Sequence, residues 1–418
     1  MHARLHVCGW HRLGVWIRSE VAGLHPGCFA LVMATGIISN GLFVGGYRGW
    51  SELLFAVILV AYPCLILLTL VRLVLFPHAL WTDLIDPARV FSFFTIIAGT
   101  GVFAVALDLR EWGHAALSLW VFDFAIWLAL IYLGFAVMIF RNPTGGADIA
   151  HGGWLNAIVG TESLVILGAI VAPEAGDLGP AILVATHMLW GVGLALYGIF
   201  IALFAQRIFF FDVEPDDVTP LLWVVMGAAA IATNAGSTLI LVKDDMPFLQ
   251  AMRPLVDGVT LVMWAWATWW IPMLLLLGIW KHGVRRVPLK YSPMLWSLVF
   301  PLGMYALASL RLSLAAELPL LRTISVAMTW VALAAWTATG KSTFSIVRDS
   351  CHSASQWNSS RDEPASRRTT WRIVLPCPIG RSKTSSARSG PVATTSHEVA
   401  GGASRTVSRW NGSTSHAS

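Results

Sequence analysis

Runs of roughly 17 to 26 apolar residues follow one another along this chain from Cys28 to about residue 339. A helix needs about 20 such residues to cross the hydrocarbon of a bilayer. Within lipid only a helix or a closed barrel satisfies its own backbone groups. The two-residue alternation of a barrel strand is absent from this sequence. The runs therefore predict an all-α polytopic membrane protein of ten transmembrane helices. They lie at about 28–44, 53–76, 90–107, 115–140, 154–172, 180–204, 220–242, 255–280, 293–310 and 320–339. Eight or nine spans remain open readings, because the weaker runs could be re-entrant. Charged residues make up only 12% of the chain and hydrophobic ones 56%, whereas a soluble domain carries about 25% charged residues.

The formal net charge of +5 is unevenly placed. Residues 341–418 hold 11 Lys and Arg against 4 Asp and Glu, leaving 17 against 19 in the first 340 residues. The surplus thus belongs to a Ser- and Arg-rich tail with little to bury, and nucleic-acid binding is not implied. Three regions follow: a cytoplasmic N-terminal segment (1–26), a transmembrane domain (27–340) and a disordered basic tail (341–418). Short-loop cations set the orientation. Arg4, Arg12, Arg18, Arg89, Arg141, Arg207, Lys281, Arg285, Arg286 and Lys290 lie on the side of the N-terminus. Arg48, Arg110, Lys243, Arg253 and Arg311 lie opposite. Both termini are expected in the cytoplasm, with the protein in the plasma membrane.

Enzyme chemistry has no constellation to stand on. The five cysteines show no close pairing, and neither a zinc site, a disulfide framework nor another cofactor is expected. "AWTATGKST" (Ala335 to Thr343) looks like a phosphate loop, but it ends a transmembrane helix where such a loop needs strand, turn and helix.

The first, third, fifth and ninth spans are short and most even ones long. Stacked, the odd spans share a shape: "FALVMATG", "FTIIAGTG", "LNAIVGTE", "LWVVMGAA" and "WSLVFPLG". A bulky residue (Phe29, Phe94, Leu155, Leu222, Trp296) is followed five places later by Ala34, Gly99, Gly160, Gly227 or Pro301. The unit is a hairpin of one short and one long helix used five times. Interrupted helices at corresponding repeat positions point to a transport path, so the odd helices should line a central pore and the even ones should face lipid. Close helix packing is the competing explanation of the glycines.

"FALVMATGIIS", "RVFSFF" and "WSLVFPLGMYALA", in that order on ten spans, resemble the tellurite-resistance/dicarboxylate transporter family, which includes malic acid permeases and slow-type anion channels. The resemblance covers about residues 24–340. It implies five hairpins in a quasi-fivefold ring, often a homotrimer, and transport of small anions such as the C4-dicarboxylate malate. It also implies that Phe300, beside Pro301, plugs the pore. Tellurite- or sulfite-type oxyanion efflux is the alternative on the same fold; a receptor or a membrane-embedded enzyme is a reading from another class.

An anion path needs donors without fixed negative charge. Candidate liners are Thr35, Ser39, Thr95, Gly99, Thr100, Asn156, Gly160, Thr161, Gly227, Thr233, Asn234, Ser237 and Gly303. For each hydroxyl, a bond back to its own helix is the competing fate. Glu162, two residues past Gly160, is a candidate proton carrier or a neutraliser of a nearby cation. Asp123 and His187 lie on even spans, where internal pairing is expected. Arg89 is placed at the inner mouth, to attract anions or simply to anchor the helix.

Overall fold

The computed structural model describes residues 18, 20–141, 152–242, 246–289 and 291–356. Arg4, Arg12, Lys243, Lys290 and the tail beyond 356 lie outside the described residues. All regular structure among those described is helical. Nine helical stretches are long and apolar enough to cross a membrane. One of them, Gly152–Phe210, contains Gly176 at φ 55°, ψ −127°, a non-helical conformation that divides it. Counted through that break, the helices are α1 (Ala30–Val44), α2 (Arg48–Leu75), α3 (Phe94–Asp108), α4 (Gly113–Arg141), α5 (Asn156–Val171), α6 (Gly179–Phe210), α7 (Val224–Leu241), α8 (Pro247–Ile279), α9 (Trp296–Ala315) and α10 (Pro319–Gln356). A short helix, Pro77–Leu84, caps α2.

The predicted difference between odd and even helices is plain. The stretch Val90–Asp108 has 94% of its residues buried, and Arg48–Leu75 only 17%. Val74, Phe140, Met188 and Leu276 on the even helices are exposed, as lipid-facing side chains should be. Each odd helix is prefaced by a tight 3₁₀ turn: Pro26–Phe29, Val90–Phe93, Gly152–Leu155, Pro220–Trp223 and Pro293–Leu295. Three of these turns begin with proline, whose missing N–H costs nothing in a first turn. The odd helices pack α1 on α3, α3 on α5, α5 on α7, α7 on α9, and α9 back on α1.

Glycines allow that approach. A Cβ on Gly99 would lie 3.4 Å from Phe29, one on Gly160 3.0 Å from Phe94, and one on Gly303 2.8 Å from Ile37. Thus Gly99 and Gly160 each receive the bulky residue of the preceding repeat. Pro301 does not interrupt α9, which runs unbroken through it. Its ring lies over Gly227, where a Cβ would come within 2.8 Å. The break expected from proline is absent because Pro301 sits in the second turn of α9, where only the carbonyl of Ser297 loses its partner.

Two sequence expectations shift. The change of composition after Gly340 does not end α10, which continues to Gln356; no proline occurs in that stretch. Arg311, placed in a loop by the sequence, belongs to the last turns of α9 and is buried. Of the tryptophans on α8, Trp266 and Trp269 are exposed and stack at 5.0 Å, whereas Trp270 is buried.

Candidate functional site

All five odd helices meet at one cavity of about 20 Å³, enough for a single water-sized group. Its wall is Ile37 and Asn40 of α1, Gly101, Val102 and Val105 of α3, Ser163 and Ile166 of α5, Ile231 and Asn234 of α7, and Met304, Leu307 and Arg311 of α9. The alignment is close. Ile37, Gly101, Ser163 and Ile231 are each the eighth residue of their helix, and Met304 the ninth of α9. The five helices thus contribute wall residues at nearly the same place along each, although counted from the bulky residues of the sequence repeat the offsets are eight, seven, eight, nine and eight. Phe300 lies one turn before Met304 on the same face of α9 and is 2% exposed.

The cavity's one ionised group is Arg311, whose Nη1 donates to the Thr238 hydroxyl of α7. Asn40 Nδ2 donates to the Val102 carbonyl at 3.0 Å, and Asn234 Nδ2 to Met304 Sδ at 3.6 Å. The Oδ1 atoms of both asparagines are buried without a partner.

The predicted liners divide. Asn234 is on the cavity wall. Thr35, Thr100 and Thr161, equivalent positions of α1, α3 and α5, turn instead to the outer helices. They accept from Trp336 Nε1 at 2.9 Å, the Tyr62 hydroxyl at 3.0 Å and Trp127 Nε1 at 2.8 Å. The Trp336 bond ties the last helix to the first. Ser39 and Ser51 exchange bonds between α1 and α2. Thr95 donates to the Pro26 carbonyl and Thr233 to Ala229 of its own helix. Ser237 is buried with its hydroxyl unpartnered, and Asn156 is buried at the first residue of α5. Trp127→Phe keeps an aromatic ring but removes the donor and part of the buried indole, so a loss of roughly 1–3 kcal/mol is expected in unfolding of the detergent-solubilised protein.

Glu162 points away from the cavity. Its carboxyl lies over Gly193 of α6, where a Cβ would come too close to Oε1, and neither oxygen has a partner. Asp123 lies beside Thr100 with both oxygens unpartnered, and His187 bonds back to the Leu183 carbonyl. Among the described residues Asp123 thus lacks the partner expected of it, whereas His187 is satisfied within its own helix.

On the side where the odd helices begin, Asp83 is clamped by Arg72 at 2.6 Å and Arg89 at 2.7 Å. Arg89 also reaches Asp86 at 3.6 Å, so its charge is engaged in ion pairs at the mouth. Burial and the nearby Arg89 guanidinium lower the His25 imidazole to about 4, and the neutral ring accepts from the Gly27 N–H at 2.9 Å.

Sequence reasoning missed Asn40, Ser163 and Arg311. The first two sit next to residues it did choose, Ser39 and Glu162.

Comparison with known proteins agrees with this architecture. An uncharacterized membrane protein of Mycobacterium tuberculosis is 46% identical over 138 residues, 33% of this chain and 70% of its own length. An uncharacterized transporter of Methanocaldococcus jannaschii is 24% identical over 69% of this chain and 84% of its own. A sulfite efflux pump of Arthroderma benhamiae is 22% identical over 71% and 83%. The family model described as voltage-dependent anion channel, SLAC1, matches residues 23–344, which hold all five inner helices and the cavity between them. The protein belongs to the SLAC1 voltage-dependent anion channel family and is a membrane anion transporter of that family.

Proposed function

We propose that this chain passes small anions along the axis enclosed by α1, α3, α5, α7 and α9, arranged with quasi-fivefold symmetry, and that Phe300 closes the path. The observation that carries the reading is the single cavity to which all five inner helices contribute, with Arg311 as its one charge. A cation facing a narrow, otherwise weakly polar lumen favours anions and repels cations. C4-dicarboxylates such as malate are the substrate class that the sequence resemblance implies. Sulfite-type oxyanions are the second reading, favoured by the sulfite efflux pump among the relatives. Malate is the larger, so its passage requires more widening of the 20 Å³ cavity. The protein sits in the plasma membrane with both termini cytoplasmic.

Flux into proteoliposomes holding the full chain tests this, with labelled malate, sulfite, chloride and nitrate and with or without a pH gradient. Anion uptake above that of empty vesicles is expected; its absence for every anion overturns the proposal. The ranking of malate against sulfite decides between the two substrate classes. Glu162, whose carboxyl lies against α6 and not on the cavity wall, is the candidate proton carrier for coupled transport. Glu162→Gln is then expected to flatten the dependence of uptake on external pH, and a pH profile identical to that of the wild type removes the coupling.

A further inference from the structure

The cavity wall beyond Phe300 offers more than attraction for negative charge. Arg311 is 8% exposed and, among the described residues, has no carboxylate within 4 Å. Asp108 acts on it only from a longer range. A guanidinium cannot shed its proton at ordinary pH, so this buried fork faces the lumen as a standing cation with N–H donors.

On the two inner helices that flank α9 stand Asn40 and Asn234, each 1% exposed. Their amide orientations are set by what they touch. The Val102 carbonyl and the Met304 sulfur accept and do not donate, so Nδ2 must face them and Oδ1 must face away. Both oxygens are then buried acceptors with no donor. Native structures rarely leave such groups unmet. The cavity wall thus carries a cation that wants a negative oxygen and two residues whose buried acceptors want a proton. A halide or nitrate answers only the first requirement. An oxyanion that keeps one O–H answers the first and supplies a donor to one of the two acceptors. Met304, an unbranched thioether between the two asparagines' helices, can move aside to admit more than a water-sized group.

Resting on the anion-pathway reading above, we propose that Arg311, Asn40 and Asn234 form its selecting station. The station takes a small monovalent oxyanion that retains an O–H, in preference to an anion of the same size without one. Hydrogencarbonate and nitrate make the comparison. Both are planar, singly charged and built from four heavy atoms, and they differ in that one group.

Isothermal titration of the full-length, detergent-solubilised protein at constant ionic strength is expected to give hydrogencarbonate roughly tenfold or more the affinity of nitrate. A site built to bond a hydroxyl rejects the analogue that lacks it. The Asn40→Leu, Asn234→Leu double variant is expected to bring the two affinities together while nitrate binding persists. Arg311→Gln is expected to lose both ligands, and Arg311→Lys to keep the preference. The affinity ratio is read within one sample and does not depend on how much protein folds. Equal affinities in the wild type, or a preference that survives the double variant, overturn the station. Nitrate flux in wild-type proteoliposomes separates the two ideas. Flux without preference removes the station alone, and no flux of any anion removes the pathway itself.

Discussion

Phe300→Ala is expected to raise anion flux by roughly tenfold or more, equivalent to about 1.4 kcal/mol off the barrier. Phe300, Met304, Leu307 and Arg311 follow one face of α9 at spacings of four, three and four residues. The last three line the cavity, and Phe300 continues their stripe toward the start of the helix. On the proposed reading the buried phenyl ring lies across the lumen, and an ion cannot shed its hydration into an apolar ring. Truncation would then open the path. It also removes a packed side chain, at a cost of about 3–5 kcal/mol in stability, so flux must be expressed per folded protein. Phe300→Leu keeps apolar bulk and is expected to fall between the two. A well-folded Phe300→Ala with wild-type flux sinks the gate.

Asp83→Ala is expected to destabilise the protein by about 3–5 kcal/mol, because it strands a buried cation. The Arg72 side chain is 5% exposed; besides Asp83 it has the Ala22 carbonyl at 3.2 Å. Deleting the carboxylate leaves that guanidinium buried near the Arg89 cation, where α2, the short helix Pro77–Leu84 and the entry to α3 converge. Arg89→Ala is the contrast. The Arg89 side chain is 37% exposed and solvent screens its pair with Asp83, so a loss below about 1 kcal/mol is expected. Thermal unfolding in detergent reads both variants. Equal losses would mean that Arg72 finds another partner when Asp83 is gone.

Architecture was legible early because lipid leaves few options. Span length, the short-and-long alternation of helices and the repeat from Phe29 to Trp296 follow from hydrocarbon thickness and from the need to satisfy every backbone group. Resemblance added the family, and the match over residues 23–344 bears it out. The lumen's chemistry was harder to read. Inner helices are buried all round, so no apolar stripe marks which face looks inward. "SN" at 39–40, "TES" at 161–163 and "TN" at 233–234 each place polar residues side by side, about 100° apart on the helix.

What the sequence by itself determined is that this chain crosses a bilayer many times, with small residues recurring at matched places on alternate helices. Only the tertiary structure decided that Asn40, Ser163 and Asn234 face the axis, while Thr35, Thr100 and Thr161 are turned away to serve aromatic donors on the outer helices. It also moved Arg311 from an apparent loop to the cavity wall. The physical reason is rotation about the helix axis. Composition and hydropathy fix how long a helix in lipid must be, but which of two adjacent polar side chains points inward depends on the neighbours it packs against.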